Sequence, residues 1–157
     1  MSFSREAALA LTGIAALAMP LAVAGSASAS TSTGCTVTPL KPVFDHLNSS
    51  GNKVIRYDTK VYCDAGRSIE IQDERLEYDN LSANDYYGTA IYNLTFDSAD
   101  TRYVSVVKVL PDADGVFDEV EEMFHATGFQ VTPYDGPASG WTPGWDESPH
   151  AKFPLWP

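Results

Sequence analysis

The chain has 157 residues and a formal net charge of −11, from 21 acidic and 10 basic side chains. A protein this anionic repels phosphate backbones and anionic lipid headgroups, and no cluster of Lys or Arg offsets the repulsion, which argues against nucleic-acid binding. The length suits a single domain with its own hydrophobic core.

The first 29 residues have the order of a secretory signal peptide. A short polar stretch with Arg5 precedes an apolar segment over residues 7–24, and Ala27-Ser28-Ala29 matches the small-residue cleavage site. The apolar segment is too short and too interrupted to favour the alternative of a membrane anchor. We therefore expect cleavage after Ala29 and a secreted, extracellular mature protein without a membrane span, beginning at Ser30.

The two cysteines, Cys35 and Cys63, both fall in the mature part of the chain. An exported protein meets an oxidising environment, so we predict a disulfide that fastens the N-terminal segment to the end of a strand. Closing this loop would stabilise the fold by roughly 3–4 kcal/mol in the chain-entropy model. The alternative is a pair of free thiols or an intermolecular bridge.

The N-terminal part of the mature chain predicts two strands after a Ser/Thr-rich leader. We expect residues 30–34 to be flexible and residues 36–44 to form an edge strand, because this segment contains two prolines. Residues 53–63 alternate between apolar and polar, which is typical of a half-buried strand. The side chains predicted on its buried face are Ile55, Tyr57, Thr59, Val61 and Cys63.

Three further strands are predicted in the middle of the chain. One begins near Ser68, with Ile69 and Ile71 pointing inward. The next covers residues 88–96, with Ile91 as the apolar exception on its polar face. Its inward side chains are Ala90, Tyr92, Leu94 and Phe96. Residues 102–110 are so rich in Val that we expect a central strand buried on both faces.

The segment over residues 116–127 fits two patterns. Its apolar side chains recur at helical spacing, yet residues 123–131 also read as one long strand, and we favour a strand preceded by an acidic turn. Six or seven short strands separated by turn residues predict an all-β protein, a small antiparallel β-sandwich over residues 30–135. An immunoglobulin-like arrangement is one candidate, although its usual cysteine pair is much further apart in sequence.

The C-terminal tail, residues 136–157, is rich in Pro, Gly and Trp, and we expect no regular structure there. Aromatic rings offer a large, rigid contact area, so Trp141, Trp145 and Trp156 are candidates for binding sugar rings or a protein partner. The interpretation we favour is that the tail folds back and places its tryptophans in the core.

Four acidic side chains have the spacing of ligands in a calcium-binding loop: Asp112, Asp114, Asp118 and Glu121. Gly115 stands where that loop turns sharply. Leu110, however, occupies the position of the first ligand, which favours an acidic turn with solvated carboxylates. A structural calcium ion is the alternative, and we expect no other cofactor.

The sequence contains no convincing catalytic signature. Its three histidines are well separated, and neither a G-x-S-x-G nor an H-E-x-x-H motif occurs. Neighbouring carboxylates such as Asp73 and Glu74 would point to opposite faces of a strand. The favoured function is therefore a secreted, non-enzymatic protein that binds an extracellular protein, a carbohydrate or the cell envelope. The alternative is a small secreted hydrolase acting on polysaccharide or peptide.

Overall fold

The computed structural model describes residues 27–78, 83–110 and 120–155. In these ranges the chain forms ten strands and no helix. The strands are β1 (Ser30–Ser32), β2 (Cys35–Pro39), β3 (Val43–Leu47), β4 (Lys53–Cys63), β5 (Arg67–Glu77), β6 (Asp85–Phe96), β7 (Asp100–Val109), β8 (Val120–Pro133), β9 (Asp146–Glu147) and β10 (Ala151–Pro154).

The described strands form two antiparallel sheets. In the first sheet β4 is central: β7 lies along one side, β2 and β3 share the other side, and β1 extends the sheet beyond β2. In the second sheet β5 lies between β6 and β8, and the short strands β9 and β10 pair with the far edge of β8. The sheets enclose a common core, so the predicted all-β fold and the small β-sandwich are confirmed.

The inward and outward faces predicted for β4 and β6 from the alternating pattern agree with the structure. All five side chains predicted to be inward on β4 are buried. On β6, Phe96 is buried, whereas Ile91 is 60% exposed on the outer face. A strand turns successive side chains to opposite sides, so one correctly assigned residue fixes the others.

The disulfide between Cys35 and Cys63 is present, as predicted. The two residues lie directly opposite each other where the start of β2 pairs with the end of β4. Around the bridge packs an apolar cluster contributed by both sheets: Val37, Val61, Ile69, Ile71, Phe96, Val104, Phe129 and Val131. A second apolar cluster lies near the other end of β4 and contains Ile55, Tyr57, Leu110, Met123, Ala151 and Phe153.

Three expectations for the first sheet were wrong. The single edge strand expected over residues 36–44 is instead two strands, β2 and β3, and β2 lies between β1 and β4. Residues 30–32 form strand β1 rather than a flexible leader, because Thr33 and Gly34 both have positive φ and turn the chain back onto β2. Among the described strands β7 pairs with β4 alone, so it is an edge strand with exposed valines at Val107 and Val109. A valine-rich run suits any pleated strand, and its composition did not distinguish a central position from an edge.

The tail also differs from expectation, because it follows the edge of β8 instead of lacking regular structure. Its backbone N–H groups donate to three carbonyls along the edge of β8: Ser139 to Val131, Thr142 to Phe129, and Ser148 to His125. Strands β9 and β10 continue this pairing. A sheet edge presents a row of unpaired N–H and C=O groups, and these bind even a Pro- and Gly-rich segment when it runs alongside.

Candidate functional site

The outward side chains of the second sheet form a continuous surface, which we call the tryptophan face. It comprises Ser68, Glu70 and Gln72 of β5, Ile91 and Asn93 of β6, Gly128, Gln130 and Thr132 of β8, and Trp141 and Trp145 of the tail. The register brings these residues together: Gln72 lies opposite both Ile91 and Gly128, and Glu70 lies opposite both Asn93 and Gln130.

Trp145 lies against the backbone of Gly128. A Cβ atom added at Gly128 would be 3.5 Å from Cε3 and Cζ3 of the indole ring, so the missing side chain lets the ring approach the sheet. The residue as a whole remains 44% exposed. The indole therefore packs against a strand on one side and remains open to solvent on the other.

Trp141 is held by the same edge of β8. It forms an isolated antiparallel bridge with Gln130, which places both side chains on the outer face of the sheet. The neighbouring Thr142 fixes this position further, because its Oγ1 accepts a hydrogen bond from the backbone N–H of Phe129 at 3.2 Å. Trp141 is 45% exposed. The favoured prediction that the tail tryptophans enter the core is therefore wrong for Trp141 and Trp145.

Two shallow depressions lie side by side on the tryptophan face. The first has a volume of ≈ 170 Å³ and is lined by Gln72, Gly128, Trp141, Thr142, Gly144 and Trp145. The second has a volume of ≈ 140 Å³ and is lined by Ser68, Ile69, Glu70, Asn93, Gln130 and Thr132. The first is dominated by aromatic rings and the second by hydroxyl, amide and carboxylate groups, so together they offer a stacking surface beside hydrogen-bonding groups.

The polar depression contains a fixed pair of side chains. Gln130 Nε2 donates to Glu70 Oε2 at 2.9 Å. At its rim Ser68 Oγ and Thr95 Oγ1 are 3.2 Å apart and share a hydrogen bond. These contacts hold the groups in place while leaving further acceptors and donors on the same side chains.

A different arrangement of polar groups lies inside the sandwich. His125 Nδ1 is 2.9 Å from Asp73 Oδ1, and Thr59 Oγ1 donates to Asp73 Oδ2 at 3.0 Å. His125 Nε2 donates to the carbonyl of Leu40 at 2.7 Å, since a carbonyl oxygen only accepts. The histidine backbone N–H donates to Ser148 Oγ. We call Thr59, Asp73 and His125 the buried polar cluster.

The buried polar cluster has the composition of a catalytic triad but not its geometry. In a triad the imidazole stands between the carboxylate and the nucleophile, whereas here Asp73 stands between Thr59 and His125. Both ring nitrogens of His125 already have partners, and all three residues are buried. The cluster therefore joins the two sheets and the tail rather than presenting a reactive group to solvent.

Further ionisable residues surround this cluster. Arg75 and Glu77 of β5 and Glu121 of β8 are buried between the sheets, and Tyr87 Oη donates to Glu77 Oε2 at 2.6 Å. Burial, together with the nearby charge of Asp73, raises the pKa of Tyr92 to about 12. The pKa of Tyr57 is also raised, chiefly by burial. Both phenols are neutral in the folded protein at neutral pH.

Several predicted features fall outside the described residues. These are positions 1–26 of the signal peptide, Trp156, and the calcium-loop residues Asp112, Asp114 and Asp118. Glu121 is described and is buried on the inward face of β8. Within the described ranges no group of three or more His, Cys, Asp or Glu side chains has a metal-binding arrangement. The calcium site stays a prediction.

Most of the tryptophan face was missed at the level of sequence. The inward positions of Ile69 and Ile71 imply that Ser68, Glu70 and Gln72 point outward, so the β5 residues that line the two depressions were available from the alternation. The placement of Gln130 beside Glu70 depends on pairing between strands 60 residues apart. No local pattern contains that information.

Comparisons with known proteins place the chain in no family. No protein-family model matches it, and no curated protein sequence does. Among similar solved structures is one described as "X-ray structure of Northeast Structural Genomics Consortium target SoR45". It is 10% identical in sequence, the match covers 80% of this chain and 88% of the other, and the TM-score is 0.37. This likeness is too distant to bear on function.

Proposed function

We propose that the protein is an exported, non-enzymatic β-sandwich that binds an extracellular carbohydrate through the tryptophan face. The observation that carries the proposal is the position of Trp141 and Trp145 on the outer face of the second sheet, each nearly half exposed. Indole rings that remain half exposed contribute only part of their area to the hydrophobic core, and apolar groups that cluster on a surface often mark a binding site. Flat aromatic rings beside hydroxyl, amide and carboxylate groups match the alternating apolar and hydroxyl-bearing faces of sugar rings.

Export is part of the proposal. The Cys35–Cys63 disulfide is compatible with an oxidising compartment, and the described residues contain no helix that is long and apolar enough to cross a membrane. The first 29 residues supply the export signal in this proposal. N-terminal sequencing of the protein recovered from the extracellular fraction should begin at Ser30, and a chain that retains the leader inside the cell would contradict export.

The binding proposal is tested with Trp141→Ala and Trp145→Ala, singly and together. Each ring supplies a large part of the stacking surface, so each single change should weaken binding to soluble polysaccharides about tenfold or more, and the double variant should abolish it. Affinity electrophoresis in gels that contain each polysaccharide, followed by titration calorimetry on those that retard the protein, measures the effect.

The matched control is Tyr103→Ala, which removes an aromatic side chain that is 62% exposed on β7 of the first sheet. It should leave binding unchanged. Thermal unfolding of every variant separates loss of binding from loss of the fold. A native protein that binds no polysaccharide, or tryptophan variants that bind as well as the native protein, would overturn the proposal.

We do not propose hydrolase activity. Of the two His–Asp pairs among the described residues, His125 with Asp73 is engaged in buried structural hydrogen bonds. His46 with Asp45 lies on the first sheet, away from the tryptophan face. No observation on the tryptophan face points to a general acid, a general base or a nucleophile in catalytic geometry.

A further inference from the structure

The two depressions of the tryptophan face are arranged in line along β5. Gln72 lines the aromatic depression, and Glu70 and Ser68 line the polar one. Alternate residues of a strand are spaced by about 7 Å, so the depressions are separated by a distance that neighbouring units of one extended ligand span. Trp145 lies against Gly128, level with Gln72, and Trp141 lies level with Gln130 and Glu70, so a ligand that stacks on Trp145 and extends along β5 towards Ser68 reaches Glu70 next.

We propose that the polar depression is a second subsite for the same ligand, and that this ligand is an uncharged polysaccharide whose chain runs along β5. The inference rests on the proposed carbohydrate binding. It adds the direction of the polysaccharide chain, the charge of the ligand and the side chains that form hydrogen bonds with its hydroxyl groups. Stacking alone on the tryptophans would accept any sugar with an apolar face, whereas the polar subsite adds selection.

The chemistry of the polar subsite suits hydroxyl groups. Glu70 uses Oε2 to accept from Gln130 and has a second carboxylate oxygen to accept from a sugar hydroxyl. The Asn93 amide, exposed on β6 opposite Glu70, offers donors and an acceptor. A hydroxyl both donates and accepts, so a carboxylate beside two amides satisfies it in either role.

The charge of the face argues against acidic polysaccharides. Between Ser68 and Glu74, the described strands and tail place no Lys or Arg on this face, while Glu70 and Glu74 both point outward. The whole chain carries a net charge of −11. A uronate or sulfate group brought beside Glu70 would meet like charge with no cation to balance it.

The experiment compares ligand length and ligand charge. A short neutral oligosaccharide fills the tryptophan subsite alone, whereas a long neutral chain reaches both, so native affinity should rise with length. Glu70→Ala and Asn93→Ala should each weaken binding of the long chain by about three- to tenfold and leave the short one unchanged. Asp100→Ala, which removes the same charge from the first sheet, is the control and should change neither.

The second arm uses a polyuronate of matched length at low and at moderate salt. The native protein should fail to bind it at both, and its affinity for the neutral chain should not depend on salt, because no charge on the ligand is involved. Binding of the polyuronate as tight as that of the neutral chain would overturn the inference. So would Glu70 and Asn93 variants that bind the long neutral chain normally.

The experiment distinguishes failure of the second subsite from failure of the proposed carbohydrate binding. If tryptophan variants lose binding while polar-subsite variants keep it, carbohydrate binding stands and the second subsite is wrong. If the native protein binds no polysaccharide of any charge or length, both proposals are wrong. Thermal unfolding of each variant confirms that the fold is intact, and two independent substitutions keep the test valid if one of them fails to fold.

Discussion

The two faces of the second sheet carry similar chemical groups in opposite environments. On the inward face Asp73 accepts hydrogen bonds from Thr59 and His125, and all three are buried. On the outward face Glu70 accepts a hydrogen bond from Gln130 at the wall of an open depression. The same carboxylate chemistry therefore holds the sheets together on one side and is available to a ligand on the other. Loss of an inward group should cost stability, and loss of an outward group should cost binding.

The largest expected effect comes from Asp73→Ala. Removal of this carboxylate leaves His125 and Thr59 buried without their partner, which costs about 3–5 kcal/mol of unfolding free energy. Since total stability of a domain is only about 5–15 kcal/mol, the variant should unfold at much lower urea concentration. Asp45→Ala removes a surface carboxylate that pairs with His46 and Arg56, and it should cost much less because water already screens these charges.

Asp73→Asn separates the loss of charge from the loss of hydrogen bonds. The amide nitrogen can donate to His125 Nδ1 when that ring nitrogen carries no proton, and the amide oxygen can accept from Thr59, so most of the stability lost in the alanine variant should be retained. Equal losses in the two Asp73 variants would mean that the charge itself is required. Little loss in either would contradict the view that the inward face depends on this cluster.

Removal of the disulfide should cause the next largest loss of stability. Cys35→Ser with Cys63→Ser frees a segment with a sequence separation of 28 residues and should lower stability by roughly 3–4 kcal/mol through unfolded-chain entropy. The bridge lies at the end of the sandwich, so ligand binding by the folded fraction should be unchanged. Urea titrations with and without reductant should coincide for the double variant and differ for the native protein.

The smallest expected effect is a gain in stability from Tyr92→Phe. The hydroxyl of Tyr92 is buried and has no hydrogen-bond partner within the part of the chain that the structure describes, so its removal should stabilise the fold by about 1 kcal/mol. A loss of stability would show that this hydroxyl has a partner. The same hydroxyl titrates at alkaline pH and therefore also affects how stability depends on pH.

The alkaline dependence follows from the raised pKa of Tyr92. Its pKa is about 12 in the folded protein, against 10.0 for an ordinary tyrosine, so burial favours the neutral phenol. The resulting contribution to stability is fully present below pH 10 and is lost as the pH rises from about 10 to about 12. Native protein should lose stability over this window, and Tyr92→Phe should lose less. Denaturation midpoints at each pH measure both.

Local sequence patterns were sufficient for the strands with clean alternation. The inward faces of β4 and β6 followed from a period of two, down to the exposed Ile91. The disulfide followed because two cysteines allow one intrachain pairing. At the end of β5 the alternation pattern was not sufficient. Continued alternation from Ile71 points Asp73 and Arg75 inward, which contradicts the usual exposure of charged residues, so the inward ionisable groups were not anticipated.

The position of the C-terminal tail could not be predicted from local sequence patterns either. Its composition indicated that Trp141 and Trp145 matter, but their position depends on backbone hydrogen bonds to β8 and on the bare backbone of Gly128. The neighbours of a residue along the chain determine which way its side chain points on a strand, because sterics and pleat act over two or three residues. Which surface it reaches is decided by pairing with segments far away in the chain, where free energy depends on the whole assembled sheet.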